Sequence, residues 1–324
     1  MNKTSLLSPG NKKIKTFLID YALYAVFIVI IIFFASRNLK FLALDNLITI
    51  VRMGSTLGIV VVGMFFVLIG AGVDISVASN MYFSAGMGVF LLNTFHVPLF
   101  WSFVVSIACG ALIGTINGFF IAKVRLVPFI VTLATMSMAR GFGILVSDQK
   151  IIVLDQSSFV FTSTRILGIP LVAYIFIGTA VIGHILLMYT RFGRQLFACG
   201  NNYTGAIKIG INGPRTIFLS YLICGICAGL AGMVNACNLA MINLNFAIGD
   251  EFVVISSAII GGASLFGGKG RILPGALLGI IMIQIILNGL TLSEASPFLF
   301  QLFRGIIIFV AVMMDSIKFS GELR

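Results

Sequence analysis

The chain has 324 residues, of which 59% are hydrophobic and only 10% charged, and its mean hydropathy is +1.13. That composition excludes a soluble domain, and apolar runs of about 20 residues, long enough to cross ~30 Å of hydrocarbon, recur along the sequence. The formal net charge of +11 is not gathered into a Lys/Arg cluster with interleaved aromatics, so nucleic acid is not an expected partner.

Taken in chain order, a basic leader over residues 1–16, MNKTSLLSPGNKKIKT, precedes a first apolar span at 17–36. That span is too long for the core of a signal peptide and no small-x-small cleavage site follows it, so it reads as an anchor. Charges and Pro, Gly, Asn and Asp turns then bound spans at 47–70, 77–94, 98–122, 126–147, 168–190, 216–240, 252–267, 272–291 and 298–317. The expectation is an all-α polytopic membrane protein of about ten transmembrane helices. The third and eighth spans are short and glycine-rich, which sets the range at eight to eleven. One transmembrane domain covers 17–317, and 318–324 form a tail.

Basic residues give the orientation, because cytoplasmic loops collect Lys and Arg. With the N-terminus inside, the inner side holds Lys3, Lys12, Lys13 and Lys15, then Lys123 and Arg125, then Arg191, Arg194, Lys208 and Arg215, then Lys269 and Arg271, and finally Lys318 and Arg324. The outer loops hold only Arg37, Lys40, Lys150 and Arg165, while Asp45, Asp148, Asp155, Asp250, Glu251 and Glu294 fall outside. Both termini are therefore expected in the cytoplasm.

Sequence motifs for chemistry are weak. Cys224-x-x-Cys227 resembles half a metal or redox site, but it has no second pair, and His96 and His184 are distant in sequence. Packing within a helix is the reading these cysteines support. The run GGASLFGGKGR at 261–271 resembles a phosphate loop but fails its pattern, because Ala263 stands where the first glycine is required and Gly270 where the hydroxyl residue is required. No Ser-His-Asp order, metal cluster or paired carboxylate suggests catalysis, so the chain is not expected to be an enzyme. The 35 glycines instead concentrate in GALIGTING, GICAGLAG and GALLG, where small residues three or four apart let helix backbones approach closely in lipid.

Five ordered stretches carry a resemblance: IGAGVDISVAS at 69–79, GTINGFFIAKVRLVPFIVTLATMSMARG at 114–141, FGRQLFACGNN at 192–202, GDEFVVISSAIIGGASLFGGKG at 249–270 and LPGALLGIIMIQIILNGL at 273–290. Through them the chain resembles the permease subunit of bacterial ribose-type sugar ABC importers, with a type II-like fold, over about residues 70–315. Ala71, Ala78, Phe252 and the pair Ser256-Ser257 depart from the family pattern.

The resemblance implies a permease in the bacterial inner membrane that moves a monosaccharide inward by alternating access. Its implied partners are a second permease subunit, identical or homologous, cytoplasmic ATP-binding subunits, an extracytoplasmic sugar-binding protein, and the lipid bilayer. No cofactor is expected in this chain, since ATP and Mg would belong to the partner ATPase. The loop 191–215, basic and free of acidic residues, would hold the coupling helix, with Arg191, Gly193, Arg194, Gly200, Asn201, Asn202, Lys208 and Gly210 as candidates. Asp74, Ser76, Asn117, Thr132, Gly261, Gly262, Gly267 and Gly268 are candidates for the translocation path or its gate.

Asp74 has two readings that stay open: with Ser76 it forms a turn and N-cap for the third span, or it stands on the path or inner gate. Arg52, Arg140 and Arg304 fall inside spans near the outer face. Each either snorkels or pairs with Asp45, Asp148, Asp250, Glu251 or Glu294, or, as the resemblance implies, docks acidic residues of the binding protein. The alternatives to an ABC permease are an ion-coupled carrier, which would need a titratable group deep in a span, and a passive channel.

Overall fold

The computed structural model describes residues 27–154, 161 and 163–322. The leader 1–16 and the start of the first expected span lie outside them; within them α1 covers Phe27–Arg37. A 3-10 turn at Leu39–Leu42 leads into α2 (Leu44–Ile69), followed by α3 (Val77–Phe95), α4 (Leu99–Ala122), α5 (Pro128–Ser147), α6 (Leu171–Tyr189), α7 (Arg191–Asn201), α8 (Tyr203–Lys208), α9 (Gly213–Leu239), α10 (Asp250–Ile260), α11 (Ile272–Leu292) and α12 (Pro297–Glu322). Four two-residue strands, β1 (Ile152–Val153), β2 (Arg165–Ile166), β3 (Ile169–Pro170) and β4 (Met241–Ile242), pair as β1 with β4 and β2 with β3, both antiparallel.

Seven of these helices, α2, α4, α5, α6, α9, α11 and α12, are long and apolar enough to cross a membrane. Ten were expected. The clearest correction is at 252–267, where α10 stops at Ile260 because Gly261 and Gly262 close it and Gly262 takes φ +98°. Its 11 residues reach about 16 Å, roughly half the hydrocarbon thickness. The expected third span is a 19-residue helix, but it carries Ser79, Asn80 and Ser84 buried against neighbouring helices and is too polar to stand among the seven. The expected tail begins inside a helix, since α12 continues to Glu322.

Helix α2 forms the axis of the bundle: from Gly54 to Ile69 every residue is buried, against α9, α11, α6 and α10. The tightest packing lies between α4 and α9. A Cβ on Gly114 would stand 3.0 Å from the Gly225 Cα, and one on Gly225 would stand 2.8 Å from the Gly114 Cα, so only glycine permits this approach. Ser106 Oγ donates across the seam to the Gly229 carbonyl (2.8 Å), and Asn80 Nδ2 of α3 donates to the Gly110 carbonyl (3.2 Å). Cys224 and Cys227 lie on the α2 side of α9, where a Cβ on Gly63 would be 2.8 Å from the Cys224 Cα. The bundle thus has two distinct ends, one carrying the strands and the start of α10, the other carrying α7, α8 and the loop 261–271.

Candidate functional site

The turn between α2 and α3 buries a carboxylate. Asp74 is 1% exposed, and its Oδ1 accepts from the Ser76 amide (2.9 Å) and the Ser76 hydroxyl (2.6 Å). Asn117 of α4 donates through Nδ2 to Ser76 Oγ (2.9 Å) and lies 3.4 Å from each Asp74 carboxylate oxygen. Thr135 of α5 donates to Asn117 Oδ1 (2.7 Å). A single polar chain therefore joins the α2–α3 turn to α4 and α5. Tyr221 of α9 closes the turn from the other side, its hydroxyl donating to the Val73 carbonyl (3.4 Å). Buried polar groups without such partners are costly, which is why every member faces another. The expected turn at Asp74 is present, but Ser76 makes no side-chain cap to α3; its hydroxyl is committed to Asp74 instead.

Five residues before Asp74, the end of α2 meets the other candidate elements. Thr190 caps α7 by accepting from the Gly193 amide (3.3 Å), and α7 then buries Gly193, Leu196 and Cys199 while exposing Arg191 and Arg194. Gly193 and Gly200 are both required by close approach: a Cβ on Gly193 would overlap the Leu187 carbonyl, and one on Gly200 would overlap the Ile69 carbonyl. That same Ile69 carbonyl accepts from the Gly268 amide (2.9 Å). Gly267 takes φ +83°, and a Cβ there would stand 2.6 Å from the Ala71 Cβ and 2.7 Å from the Gly200 carbonyl oxygen. Gly268 takes φ +69° beside the Asn201 side chain. Asp315 of α12 holds the loop from behind, accepting from the Leu265 amide (2.8 Å) and the Ser264 hydroxyl (3.1 Å).

The sequence candidates thus divide. Gly200, Asn201, Gly267 and Gly268 meet in one junction, while Asp74, Ser76 and Asn117 form the buried chain just beyond it. Asn202 is the cap of α8, accepting from the Gly205 amide (2.8 Å); Lys208 ends that helix, and Gly210 follows in a turn with φ +86°. Gly261 packs α10 on the Gly275 backbone, and Gly262 has open space around it. Thr132 is buried, but its hydroxyl returns to its own helix at the Pro128 carbonyl (3.0 Å). Thr135, one turn further on, is the α5 residue that joins the buried chain. Tyr221 and Asp315 were also missed; their partners lie more than fifty residues from them in sequence or, for Asp315, fifty, and no local pattern signals either.

At the strand end, two arginines clamp the segment between α9 and α10. Arg140 of α5 donates to the Phe246 carbonyl (2.9 Å) and lies 4.7 Å above the Tyr82 ring. Arg304 of α12 donates to the Ile248 carbonyl (2.8 Å) and pairs with Asp250 (3.3 Å). Asp250 heads α10, outside the seven spans. Its burial pushes the carboxyl up to about 6, a rise that Arg304 opposes and Glu251 reinforces. Arg52 of α2 is half-buried and has no such clamp.

The family model described as branched-chain amino acid transport system / permease component matches residues 46–312. Among curated relatives, the ribose import permease RbsC of Haemophilus influenzae is 30% identical over 312 residues, covering 95% of this chain and 96% of its own. The D-allose transport system permease AlsC of Escherichia coli is 31% identical, covering 91% of each chain, and the L-arabinose transport system permease AraH of the same species is 31% identical, covering 92% of this chain and 91% of its own. No solved structure matches. The matched region takes in the buried Asp74 chain, the glycine junction and both arginine clamps, and the chain belongs to this family of transport-system permease components.

Proposed function

We propose that the protein is the membrane-spanning subunit of an ABC importer that carries a monosaccharide, or a close derivative, into the bacterial cytoplasm. The observation that carries this reading is the junction of α7 with the end of α2: a short helix exposing Arg191 and Arg194 rests by Gly200 on the Ile69 carbonyl, which is itself bonded to Gly268. A rigid push on α7 is thereby delivered to the turn that holds Asp74 and, through Asn117 and Thr135, to α4 and α5. Bistable packed elements of this kind turn a local displacement into a change of access.

The push would come from separate ATP-hydrolysing subunits docked on the cytoplasmic side at α7, with ATP and Mg bound there. In this reading the strand end faces outward and receives a sugar-binding protein, a second permease copy or homologue completes the path, both termini are cytoplasmic, and the host membrane is the bacterial inner membrane. The span count closest to ten takes α1, α3 and the half-length α10 as membrane-embedded with the seven long helices. The sugar import permeases named above are the relatives that support a monosaccharide cargo.

One observation favours an ion-coupled carrier instead, namely that Asp74 is buried and its contacts are all to neutral side chains and backbone. Uptake of labelled D-ribose, D-allose and L-arabinose into membrane vesicles, with and without ATP and with a protonophore, separates the two. The proposal expects uptake that needs ATP and survives the protonophore; collapse on protonophore addition with ATP present contradicts it.

A further inference from the structure

Helix α12 is held to the bundle at few points. It packs on α10, and its polar ties are Arg304, to the Ile248 carbonyl and Asp250, and Asp315, to the loop at Ser264 and Leu265. Alongside these ties a crevice of about 1010 Å³ separates α12 from α1 and α11 and reaches Ile260, the last residue of α10. Phe34 of α1 seats on Gly289 of α11 with no room for a Cβ, so those two helices make one wall. The lining follows α12 from Leu299 to Met314, about 22 Å at 1.5 Å per residue, which exceeds the depth of one leaflet, roughly 15 Å. Phe33, Ile306 and Val310 on its walls are exposed, so the crevice opens toward the hydrocarbon. Its lining is apolar except at the strand end, where Arg37, Asn38, Ser293 and Glu294 gather.

Water does not fill an apolar cavity of this kind, and an empty one forfeits dispersion contacts along its walls. The lining fits an amphiphile instead, with its hydrocarbon along α12 and its polar head at the strand end. The mouth selects the head. Asn38 Nδ2 is spent on the Leu292 carbonyl (3.3 Å), Asn38 Oδ1 on the Lys40 amide (2.9 Å), and the Ser293 hydroxyl on the Gly289 carbonyl (2.8 Å). What remains is one exposed guanidinium, Arg37, which lies 5.8 Å from the Phe33 ring centre, and one exposed carboxylate, Glu294. Among the described residues neither enters an ion pair. A phosphodiester matches the fork of the guanidinium, and an ammonium matches the carboxylate. A zwitterionic phospholipid carries both on one head, whereas an anionic one would leave Glu294 facing a neutral alcohol. We propose that the α1–α11–α12 crevice is a binding site for one zwitterionic phospholipid, which fills the gap behind α12 and so seats the helix that carries both Arg304 and Asp315. The site does not depend on which cargo the permease moves.

The test is native mass spectrometry of the full chain, delipidated in detergent and titrated with phosphatidylethanolamine or phosphatidylglycerol. The wild type is expected to hold one phosphatidylethanolamine about tenfold more tightly than phosphatidylglycerol, roughly the worth of one hydrogen bond to a charged group. Glu294→Gln should erase that preference, and Arg37→Ala should weaken the binding of both lipids by a similar factor. Ile286→Trp, which fills the crevice, should remove the bound lipid. Arg37 and Glu294 are exposed, so their variants keep the test decisive even if Ile286→Trp fails to fold. Lack of a one-to-one lipid complex, equal retention of the two lipids by the wild type, or unchanged binding in Arg37→Ala and Glu294→Gln overturns the site. A lipid-free dimer that Ile286→Trp converts to monomer overturns it as well, because a second copy of the chain then occupies the crevice.

Discussion

Gly268 donates its amide to the Ile69 carbonyl at 2.9 Å, and Gly200 of α7 rests on that same carbonyl with no room for a side chain. Three segments that are far apart in sequence therefore share one backbone oxygen, at the last residue of the most buried helix and five residues before Asp74. A displacement of α7 cannot occur without moving this contact. Gly200→Ala is expected to uncouple ATP hydrolysis from uptake while leaving membrane insertion intact, and the ratio of the two rates in reconstituted vesicles measures it. An unchanged ratio would remove the junction from the transmission route.

Arg194 offers the complementary test from the exposed side of α7. Arg194→Glu should leave the thermal midpoint of the detergent-solubilised chain within the small range typical of surface changes, about 0.5 kcal/mol. Association with the ATP-hydrolysing subunits should weaken and become less favourable at low salt, because the reversed charge acts on docking rather than on folding. Co-purification across a salt series reads both.

In the loop after α10, valine should discriminate between positions. At Gly267 it meets both a left-handed backbone and the Ala71 and Gly200 atoms, and a loss of several kcal/mol or failure to accumulate is expected. At Gly262 the space is open and only the positive φ of +98° opposes it, so the cost is of order 1–3 kcal/mol. Ala263→Val adds two methyl groups to a site 2% exposed, an overpacking penalty of about 1–3 kcal/mol. Thermal midpoints of the three variants should place Gly267→Val well apart from the other two; equal midpoints would contradict the geometry of the junction.

Thr135 carries the far end of the buried chain. Thr135→Val keeps the shape but leaves Asn117 Oδ1 without its 2.7 Å donor, at a cost of about 1–3 kcal/mol. Thr135→Ser should be close to wild type, and denaturation of both variants in detergent checks the pair.

Much of this organisation is legible in the sequence, and the reason is periodicity. Apolar runs bounded by charges and breakers place α2, α4, α5, α6, α9, α11 and α12 within a few residues, because length and hydropathy are what the bilayer selects. The glycine runs 110–118 and 225–232 likewise announce the α4–α9 seam. Helix α10 was read too long because the apolar residues after Ile260 belong to an irregular loop protected by protein, and hydropathy does not distinguish a helix from such a loop. The role of Thr135 is not legible in the sequence, because Thr132 and Thr135 stand at helical spacing and only the position of Asn117 on α4 shows which hydroxyl reaches it. The clamp of Arg304 on Asp250 was among the pairings open from sequence, whereas its bond to the Ile248 carbonyl, 56 residues away, follows only from the fold.

The Asp250 carboxyl gives a pH signature. Its folded-state value near 6 stands above the ordinary 3.8, with burial as the main cause, so the folded chain binds this proton more tightly than the unfolded chain does. The associated stabilisation is full below the unfolded value and is lost as pH rises toward about 6, above which it is constant. Relative to Asp250→Asn, which keeps the shape without the titration, the wild-type thermal midpoint should decline between about pH 4 and pH 6 and then level off. Arg304→Met removes the larger of the two opposing charges, the other being Arg140, and should carry the levelling point to higher pH.

The central claim, that this chain is a permease driven at α7 by a separate ATPase, is tested most directly by sugar uptake into liposomes holding the chain together with an ATP-hydrolysing subunit and a sugar-binding protein. Wild-type protein should accumulate at least one of D-ribose, D-allose and L-arabinose only when ATP and the binding protein are both supplied, and Gly200→Ala should hydrolyse ATP without accumulating sugar. Equal sugar entry with and without ATP, or uptake in Gly200→Ala at the wild-type rate per ATP hydrolysed, would contradict it.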